Sequence, residues 1–324
     1  MAAYVLRRVF WTIPILFVVL SLIFFAMLSI GGDPTRHGRL VGLSSAVWVK
    51  SGDPKPDAIT DNMRRVRGLD QPWYEQYARY LKATVTFDYG ATFTFPYRTV
   101  EGIIAAQAPV SLELGLLALL WALVVGLPLG VAGALVRGSP LDLAARTLAL
   151  LGVAVPNFLV ATLLIYVLSV RGGLLPTSGW GSWQAKVLPS LTLSLLPMAY
   201  CARLVRASML EVLHQDYVRA GAARGLRRSR IVGVHVLRNS LIPLVSALGP
   251  IVGYLVTGSF VIEQIFGIPG IGRYYVAAVL ARDYPLVLGL TVVLTMAMVL
   301  ANLLADIVLV WLDPRLRERI LARA

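Results

Sequence analysis

The stretch DYVRAGAARGLRRSRIVGVHVLRNSLIP, residues 216–243, places six arginines and one acidic residue between two long apolar runs. The chain around it has the opposite character: 57% of its 324 residues are hydrophobic, only 15% are charged, and the mean hydropathy is +0.73. Soluble domains contain about 45–50% apolar and about 25% charged residues. The composition therefore indicates a membrane protein in which the basic block lies in a linker.

The apolar runs predict the topology. Residues 10–30, FWTIPILFVVLSLIFFAMLSI, are uncharged and long enough to cross roughly 30 Å of hydrocarbon at about 1.5 Å per residue. This stretch exceeds the roughly 7–15 apolar residues of a signal peptide, so we expect it to be retained as a span. Comparable stretches follow at 108–136, 147–170, 187–210, 240–262 and 286–311. We predict an all-α polytopic protein with six transmembrane helices.

An even number of spans places both termini on one side, and the arginines indicate which side. Under this topology the basic residues of the short linkers and the termini share one face: Arg7, Arg8, Arg137, Arg146, the arginines of 216–243, Arg315, Arg317, Arg319 and Arg323. Short loops rich in Lys and Arg stay in the cytoplasm. The opposing segment 31–106 carries ten basic and eight acidic residues, and segments of this length translocate largely regardless of charge. We therefore expect cytoplasmic termini in a plasma membrane.

Two outer elements are predicted. Within the extracytoplasmic segment 31–106, an irregular part is followed by an amphipathic helix near 72–83, with Trp73, Tyr77, Tyr80 and Leu81 on one face. This helix either lies on the membrane surface or caps the protein's own outer mouth, and its weakly basic polar face favours the second placement. The second element, in 263–285, has turns forced by glycines and a proline before a short helix from Tyr274 to Arg282.

Enzymatic functions find no support in the sequence. Cys201 is the single cysteine, which excludes an internal disulfide and a thiol redox motif, and the motif GxxxxGK[ST] for ATP is absent. No nucleophile lies beside a base, and no paired carboxylates or HExxH motif occur. We expect a transport protein that binds no metal or cofactor and hydrolyses no ATP itself.

Polar and small residues within the spans add two expectations. The carboxylates Glu113 and Asp306 fall near span ends and the three histidines fall in linkers, which disfavours proton coupling. Glycines at roughly helical spacing predict close helix packing in the second and fifth spans, either within the chain or with a partner: Gly115, Gly126, Gly130, Gly133, Gly249 and Gly253.

The arginine block has three possible roles: a topology anchor, a patch for anionic lipid, or a docking element for another protein. Docking requires apolar residues interleaved with the charge. Two apolar stripes at helical spacing are present, namely Tyr217, Ala220, Ala223, Leu226 and then Ile231, Val234, Leu237, Leu241. Gly225 lies between them, so we predict two short amphipathic helices hinged at this glycine.

The block resembles the cytoplasmic loop of permease subunits of ABC importers, whose pattern is E-A-A, three residues, then G. The wider chain is similar to the dipeptide and oligopeptide group, in particular to the first of its two paired membrane subunits. Stretches that carry this resemblance include GLDQPWYEQYARYL, APVSLELGLLALLWALVVGLPLG, VPNFLVATLLIYVL, GSFVIEQIFGIPGIGRYY and LVWLDPRLR. Gly225 matches the glycine of the pattern, whereas Arg219, Ala220 and Gly221 occupy its E-A-A positions. Residues 36–64 look like an insertion.

The resemblance implies a type I ABC importer permease fold, with a first helix in 1–30, the outer segment 31–106 and a permease core in 107–324. It implies a coupling loop at 213–239 that receives force from an ATPase through Asp216, Tyr217, Arg219, Ala220, Gly221, Gly225, Leu226, Arg227 and Arg228. Residues expected at a translocation path or gate are Glu113, Asn157, Pro197 and Glu263.

The implied partners are a homologous second permease subunit, two ATPase subunits that carry ATP and Mg, and an external binding protein received by 73–83 and 263–284. The expected location is a prokaryotic inner membrane, and the expected cargo is short peptides. Nickel complexes or glutathione remain alternatives, as do a stand-alone carrier and a membrane scaffold without transport. No residue in the spans distinguishes a dipeptide from a longer peptide.

Overall fold

The computed structural model describes residues 2–30, 68–95 and 98–312. Within these ranges the chain is helical apart from its loops and one antiparallel bridge between Ala91 and Thr99. The helices are α1 (Ala2–Ile30), α2 (Trp73–Thr86), α3 (Val100–Leu135), α4 (Pro140–Ala154), α5 (Asn157–Leu164), α6 (Trp183–Leu213), α7 (Asp216–Ala223), α8 (Arg228–Arg230), α9 (Leu237–Ser240), α10 (Ile242–Ile265), α11 (Ile271–Ala281) and α12 (Tyr284–Leu312). A π-helical stretch, Ile165–Arg171, continues α5, and another, Ile231–Val236, joins α8 to α9. The predicted insertion at 36–64 lies outside the described residues.

The predicted spans are largely confirmed. Among the described residues, four helices are long and apolar enough to cross a membrane, at Phe10–Ser29, Val100–Leu135, Trp183–Leu213 and Tyr284–Val310. Arg228–Ser240 and Ile242–Leu255 meet at a 45° bend and make a fifth candidate if they are taken as one span. The all-α polytopic fold is therefore confirmed, and four or five of the six predicted spans are supported by length and composition.

The stretch 147–170, predicted as the third span, is a broken helix. It is divided between α4, which ends at Ala154, and the apolar stretch Asn157–Arg171. Pro156 separates the two with φ −58° and ψ 134°. Proline has no N–H to donate and disfavours helical geometry in the residue before it, and here the extended ψ of Pro156 itself breaks the helix.

The described residues divide into two compact units. The first comprises the described parts of Met1–Val9, Ser111–Pro269 and Ala297–Ala324, and the second those of Phe10–Val110 and Gly270–Met296. The predicted domain limits follow the linear sequence, whereas each unit combines distant parts of the chain.

In the second unit, α2 packs against α1 through aromatic rings. The ring centroid of Tyr77 lies 5.3 Å from that of Phe24 and 5.6 Å from that of Phe25. The Tyr77 hydroxyl is also hydrogen-bonded to Ser21 at 2.6 Å. The amphipathic helix predicted near 72–83 is confirmed as Trp73–Thr86. Tyr77 of this helix therefore packs on the protein's own first span.

In the second unit, the carboxylate of Asp283 connects the loop at Phe93 and Thr94 to the start of α12, a contact that the sequence did not predict. Its Oδ2 accepts hydrogen bonds from the backbone N–H groups of Phe93 at 2.7 Å and Thr94 at 2.8 Å. Its Oδ1 accepts from the N–H of Leu286 at 3.3 Å, so the same carboxylate caps the start of α12. The side chain is fully buried, and this burial raises the pKa of Asp283 against the opposing effect of these donors.

We expect Asp283→Ala to loosen the loop around Phe93 and Thr94. Alanine offers no acceptor oxygen, so the backbone N–H groups of both residues lose their partner, at a cost of about 1–3 kcal/mol for a buried group. Hydrogen exchange of the purified chain should show faster exchange at these two residues than in the wild type. Asp88→Ala is the matched control because Asp88 is exposed. Equal exchange in both variants would contradict the tie between Asp283 and this loop.

In the first unit, α6 is the central helix, since α4, α5 and α10 all pack on it. Two glycines of α3 allow a close approach to α6. A Cβ added at Gly126 would lie 2.6 Å from the carbonyl oxygen of Met198, and one at Gly130 would lie 2.6 Å from that of Ala202. These two positions confirm the predicted close packing in the second span.

Of the remaining glycines of this prediction, Gly133 also faces α6, since a Cβ added there would lie 3.2 Å from Cδ of Arg206. Gly249 and Gly253 face α12, where an added Cβ would collide with the side chains of Asn302 and Met298. Gly115 has no described atom within 4 Å of such a Cβ, so it makes no close contact with another described helix of this chain, and a contact with a partner stays a prediction. Gly115 lies 11 residues before Gly126, which places it about three turns away on nearly the same face of α3.

Candidate coupling segment

The candidate coupling segment, residues 213–240, begins where the central helix ends. α6 stops at Leu213, and α7 starts at Asp216 after only two intervening residues. Asp216 occupies the first turn of α7, where a negative charge is favoured by the helix dipole. Only two residues therefore connect α7 to α6.

Gly225 ends α7 in a left-handed turn. Its φ is +79°, and its N–H donates to the carbonyl of Ala222 at 3.0 Å, while the N–H of Leu226 donates to that of Gly221 at 3.2 Å. These two bonds define a Schellman motif, in which a glycine ends a helix and satisfies its last carbonyls. The glycine hinge predicted from the sequence is confirmed as a defined turn.

After this turn the chain forms a second helical stretch, Arg228–Ser240, which bends by 45° into α10. α7 packs against its π-helical part, with Val218, Ile231 and Val236 buried. The Asn239 side-chain amide donates to the Tyr217 hydroxyl at 2.9 Å and joins the two arms at their surface. The two predicted amphipathic helices are therefore confirmed as a packed pair.

The outer face of α7 combines apolar and basic groups. Tyr217, Ala220 and Ala223 are exposed, as predicted for a docking face, and so are all six arginines of the segment. Leu226 departs from the predicted stripe: it is only half-exposed, and its Cδ1 lies 3.5 Å from the position a Cβ on Gly221 would take. The Schellman turn reverses the chain at Gly225 and folds Leu226 back onto α7.

The four residues predicted at a path or gate make separate interhelical contacts. The Glu113 carboxylate forms an ion pair with the Lys186 ammonium at 2.5 Å and accepts a hydrogen bond from the Trp180 indole N–H at 3.0 Å. Glu263 is fully buried, and its Oε1 accepts from the Ser111 hydroxyl at 2.7 Å. Since Ser111 and Glu113 both belong to α3, this helix is tied through one residue to α10 and through the other to α6.

The other two predicted residues are Asn157 and Pro197. The Asn157 amide donates to the hydroxyl of Tyr254 at 2.5 Å and so connects α5 with α10. Pro197 is buried within α6, where it cannot donate to the carbonyl one turn earlier. In this structure the four residues therefore tie helices together, and they do not converge on one site.

Comparison with known proteins identifies the family. The family model described as "Binding-protein-dependent transport system inner membrane component" matches residues 126–318. The chain belongs to this family of inner membrane permeases. The dipeptide transport system permease protein DppB of Bacillus subtilis is 40% identical to this permease over 318 residues, 98% of each chain.

More distant relatives agree. The oligopeptide transport system permease protein OppB of Salmonella typhimurium and the glutathione transport system permease protein GsiC of Escherichia coli K12 are each 36% identical. Both alignments cover 98% of this permease and 100% of the relative. A solved chain of the MetNI methionine ABC transporter, in an inward-facing conformation, matches with a TM-score of 0.54 and 19% identity over 65% of this permease and 96% of that chain. This last match shows a shared fold.

A charged cluster in the permease escaped the sequence analysis. Asp142 has a fully buried side chain, and Arg206 of α6 grips it with two bonds, Nε to Oδ1 at 2.7 Å and Nη2 to Oδ2 at 3.0 Å. The Gly138 N–H donates to Oδ2 at 3.0 Å, and Arg146 approaches the same oxygen at 3.1 Å. Ser139 and Asp142 have capping-box spacing, and the Asp142 N–H donates to the Ser139 hydroxyl at 3.2 Å, but nothing in the sequence points to Arg206.

These partners keep Asp142 ionised. The Arg206 guanidinium, helped by the Gly138 N–H, lowers the pKa of Asp142 to about 2 from its usual 3.8. A depressed folded-state pKa stabilises the fold above pH 3.8, and this contribution is lost as the pH falls through about 2. The ion pair is therefore intact at every physiological pH.

We expect Arg227→Glu with Arg228→Glu to weaken binding of a partner to the coupling segment without lowering the amount of folded permease. Both side chains are exposed, so the reversal leaves the packing of α7 intact. Like charges that face each other across an interface slow association, and the effect fades with salt because exposed charges are screened over about 10 Å at 0.1 M. Binding should be measured at low and high salt, with Arg137→Glu, exposed outside the segment, as control. A salt-independent loss would argue for misfolding instead.

Proposed function

We propose that this chain is the membrane permease subunit of an ATP-driven importer and forms part of the path for short peptides delivered by an external binding protein. The observation that carries the proposal is the exposed helix, glycine turn and helix at 216–240. A stand-alone carrier has no need of such a segment, because a loop of a few residues suffices to connect two spans. A permease subunit that has no ATP site of its own, by contrast, needs a segment through which it receives force from the ATPase.

The names of the relatives support peptide cargo. DppB, OppB and GsiC are named for dipeptide, oligopeptide and glutathione transport, and all three cargoes contain amide-linked amino acids. Short peptides are therefore the proposed substrate class, and another small solute such as a nickel complex is the alternative. Selection within the class is assigned to the external binding protein.

The proposed assembly has a homologous second permease subunit and two cytoplasmic ATPase subunits that bind ATP and Mg. Both termini of this chain are placed in the cytoplasm on the basis of its arginines. An acidic surface on the ATPase would complement the arginines around Tyr217, and this complementarity would favour correct and rapid docking. The outer helices Trp73–Thr86 and Ile271–Ala281 are the proposed contacts of the binding protein.

In the proposed mechanism, nucleotide-driven closure of the ATPases moves α7. Because α7 follows α6 after two residues and packs on 231–236, one movement reaches both arms of the segment. α6 carries it into the centre of the first unit, and the bend after Ser240 carries it into α10. The interhelical contacts of Glu113 and Glu263 would then have to rearrange for a path to open.

Reconstitution tests the proposal. The chain, its second permease subunit and its ATPases are placed in liposomes, and ATP hydrolysis is measured with the binding protein empty, loaded with a dipeptide or loaded with a longer peptide. Stimulation by a peptide-loaded binding protein is the expected result. Stimulation only by a binding protein loaded with another ligand would support the importer function and contradict peptides as the cargo. Failure of ATPase subunits to copurify at fixed stoichiometry would favour a carrier or a scaffold.

A further inference from the structure

The pair of Asp142 and Arg206 lies between the coupling segment and the body of the first unit. Arg206 is ten residues before Asp216 on the chain, and α6 is continuous from Arg206 to Leu213. Asp142 belongs to the first turn of α4, just after the turn that ends α3. The pair therefore joins the helix that leads into α7 to the α3–α4 corner.

The α3–α4 corner is shaped around the guanidinium. A Cβ added at Gly133 would lie 3.2 Å from Cδ of Arg206 and 3.3 Å from Oδ1 of Asp142, so Arg206 passes through space that a larger residue would restrict. The Gly138 N–H fixes the second carboxylate oxygen. Planar two-point pairing of this kind fixes direction as well as distance, which a lysine could not do.

Stability alone is a weak reason for such a pair. Buried ion pairs can often be replaced by apolar residues with no loss of stability, because desolvation of the charges offsets their attraction. Their directional geometry, by contrast, holds two elements in one register. The ion pair of Asp142 and Arg206 lies only a short helical segment before α7. It can therefore determine how far α6 moves when α7 is displaced.

We propose that Asp142 and Arg206 are positioning residues that clamp α6 to the α3–α4 corner, so that force on the coupling segment moves these helices together. This inference rests on the proposed importer function. With the clamp released, the cytoplasmic end of α6 yields locally, and ATP is hydrolysed without matching transport. A purely structural pair would instead change the amount of assembled complex and leave the ratio of ATP to solute unchanged.

The test uses the complete reconstituted transporter with Asp142→Asn. At equal amounts of assembled complex, we expect the number of ATP molecules hydrolysed per solute imported to rise roughly fivefold or more, the size of a typical coupling between sites. Arg146→Ala is the control: Arg146 pairs with the same carboxylate from within α4, so it crosses to no other helix and its ratio should stay at the wild-type value.

Every result decides between the two proposals. A wild-type complex that is not stimulated by its binding protein would overturn the importer function itself. A coupled wild type with an unchanged ratio in Asp142→Asn would overturn the clamp alone. If Asp142→Asn does not assemble, Arg206→Lys, which keeps the charge but loses two-point pairing, is expected to raise the ratio by a smaller factor. An unchanged ratio in Arg206→Lys, or failure of both variants to assemble, would reduce the pair to a folding role.

Discussion

Gly130→Leu is expected to remove most of the folded permease from the membrane. A side chain at this position would begin 2.6 Å from the carbonyl oxygen of Ala202 and 2.9 Å from Cβ of Val205. One of these atoms is backbone, so the contact cannot be relieved by a change of rotamer, and α3 must move away from α6. Overpacking of this kind costs about 3 kcal/mol or more when backbone has to shift. Size-exclusion chromatography of the detergent-extracted chain measures the loss.

Gly115→Leu provides a control in the same helix. An added Cβ at Gly115 has no described atom within 4 Å, and leucine is favoured over glycine in a helix by up to about 1 kcal/mol. This variant should therefore yield as much folded chain as the wild type or more. Equal loss in both variants would mean that general insertion, and not the contact with α6, limits the yield.

These two glycines show how far the sequence predicts the packing. Their spacing in the second span suggested that both lie at helix contacts, yet only Gly130 meets another helix in the described structure. A glycine pattern reports which positions tolerate close approach, but the point along α3 at which another helix comes close decides which of them are used. That point depends on the course of α6, which no local pattern specifies.

The structure of the candidate coupling segment, in contrast, could be predicted from local sequence features. The hinge at Gly225 and the helices beside it were predictable because a Schellman motif involves only six neighbouring residues. Leu226 was misplaced because helical periodicity was continued through the glycine, where the chain turns back. The outer helix Trp73–Thr86 was predictable for the same reason as the hinge, since its aromatic stripe is a local feature.

Pairs distant in sequence could not be predicted. Lys186 and Glu113 are separated by 73 residues, and Arg206 and Asp142 by 64. Many basic residues could reach either acid until the helices are placed, so neither partner had a distinguishing signal. The sequence thus located the proposed coupling segment, whereas the contacts between distant helices became visible only in three dimensions.

Gly225→Pro is expected to abolish stimulated ATP hydrolysis while the permease remains inserted. Proline fixes φ near −65°, against the +79° observed, and it lacks the N–H that bonds to Ala222. It also drives the preceding residue, Arg224, away from its near-helical ψ of 5° towards extended geometry. Both arms of the segment must then change direction, and α7 can no longer present Tyr217 and its arginines to the same partner. The expected loss of stimulation is at least about tenfold, the size of a typical coupling between two sites.

A graded series separates turn geometry from general damage. Asparagine tolerates left-handed geometry and should keep most of the activity at position 225, whereas alanine pays about 1–2 kcal/mol of strain and should be intermediate. Gly233→Ala is the control within the same segment, because Gly233 has open space around it and is not among the glycines with positive φ. Activity that falls in the order glycine, asparagine, alanine, proline would tie coupling to the left-handed turn. Normal transport by Gly225→Pro in an assembled complex would remove the turn from the mechanism, because nothing else in the segment could then restore the direction of α7.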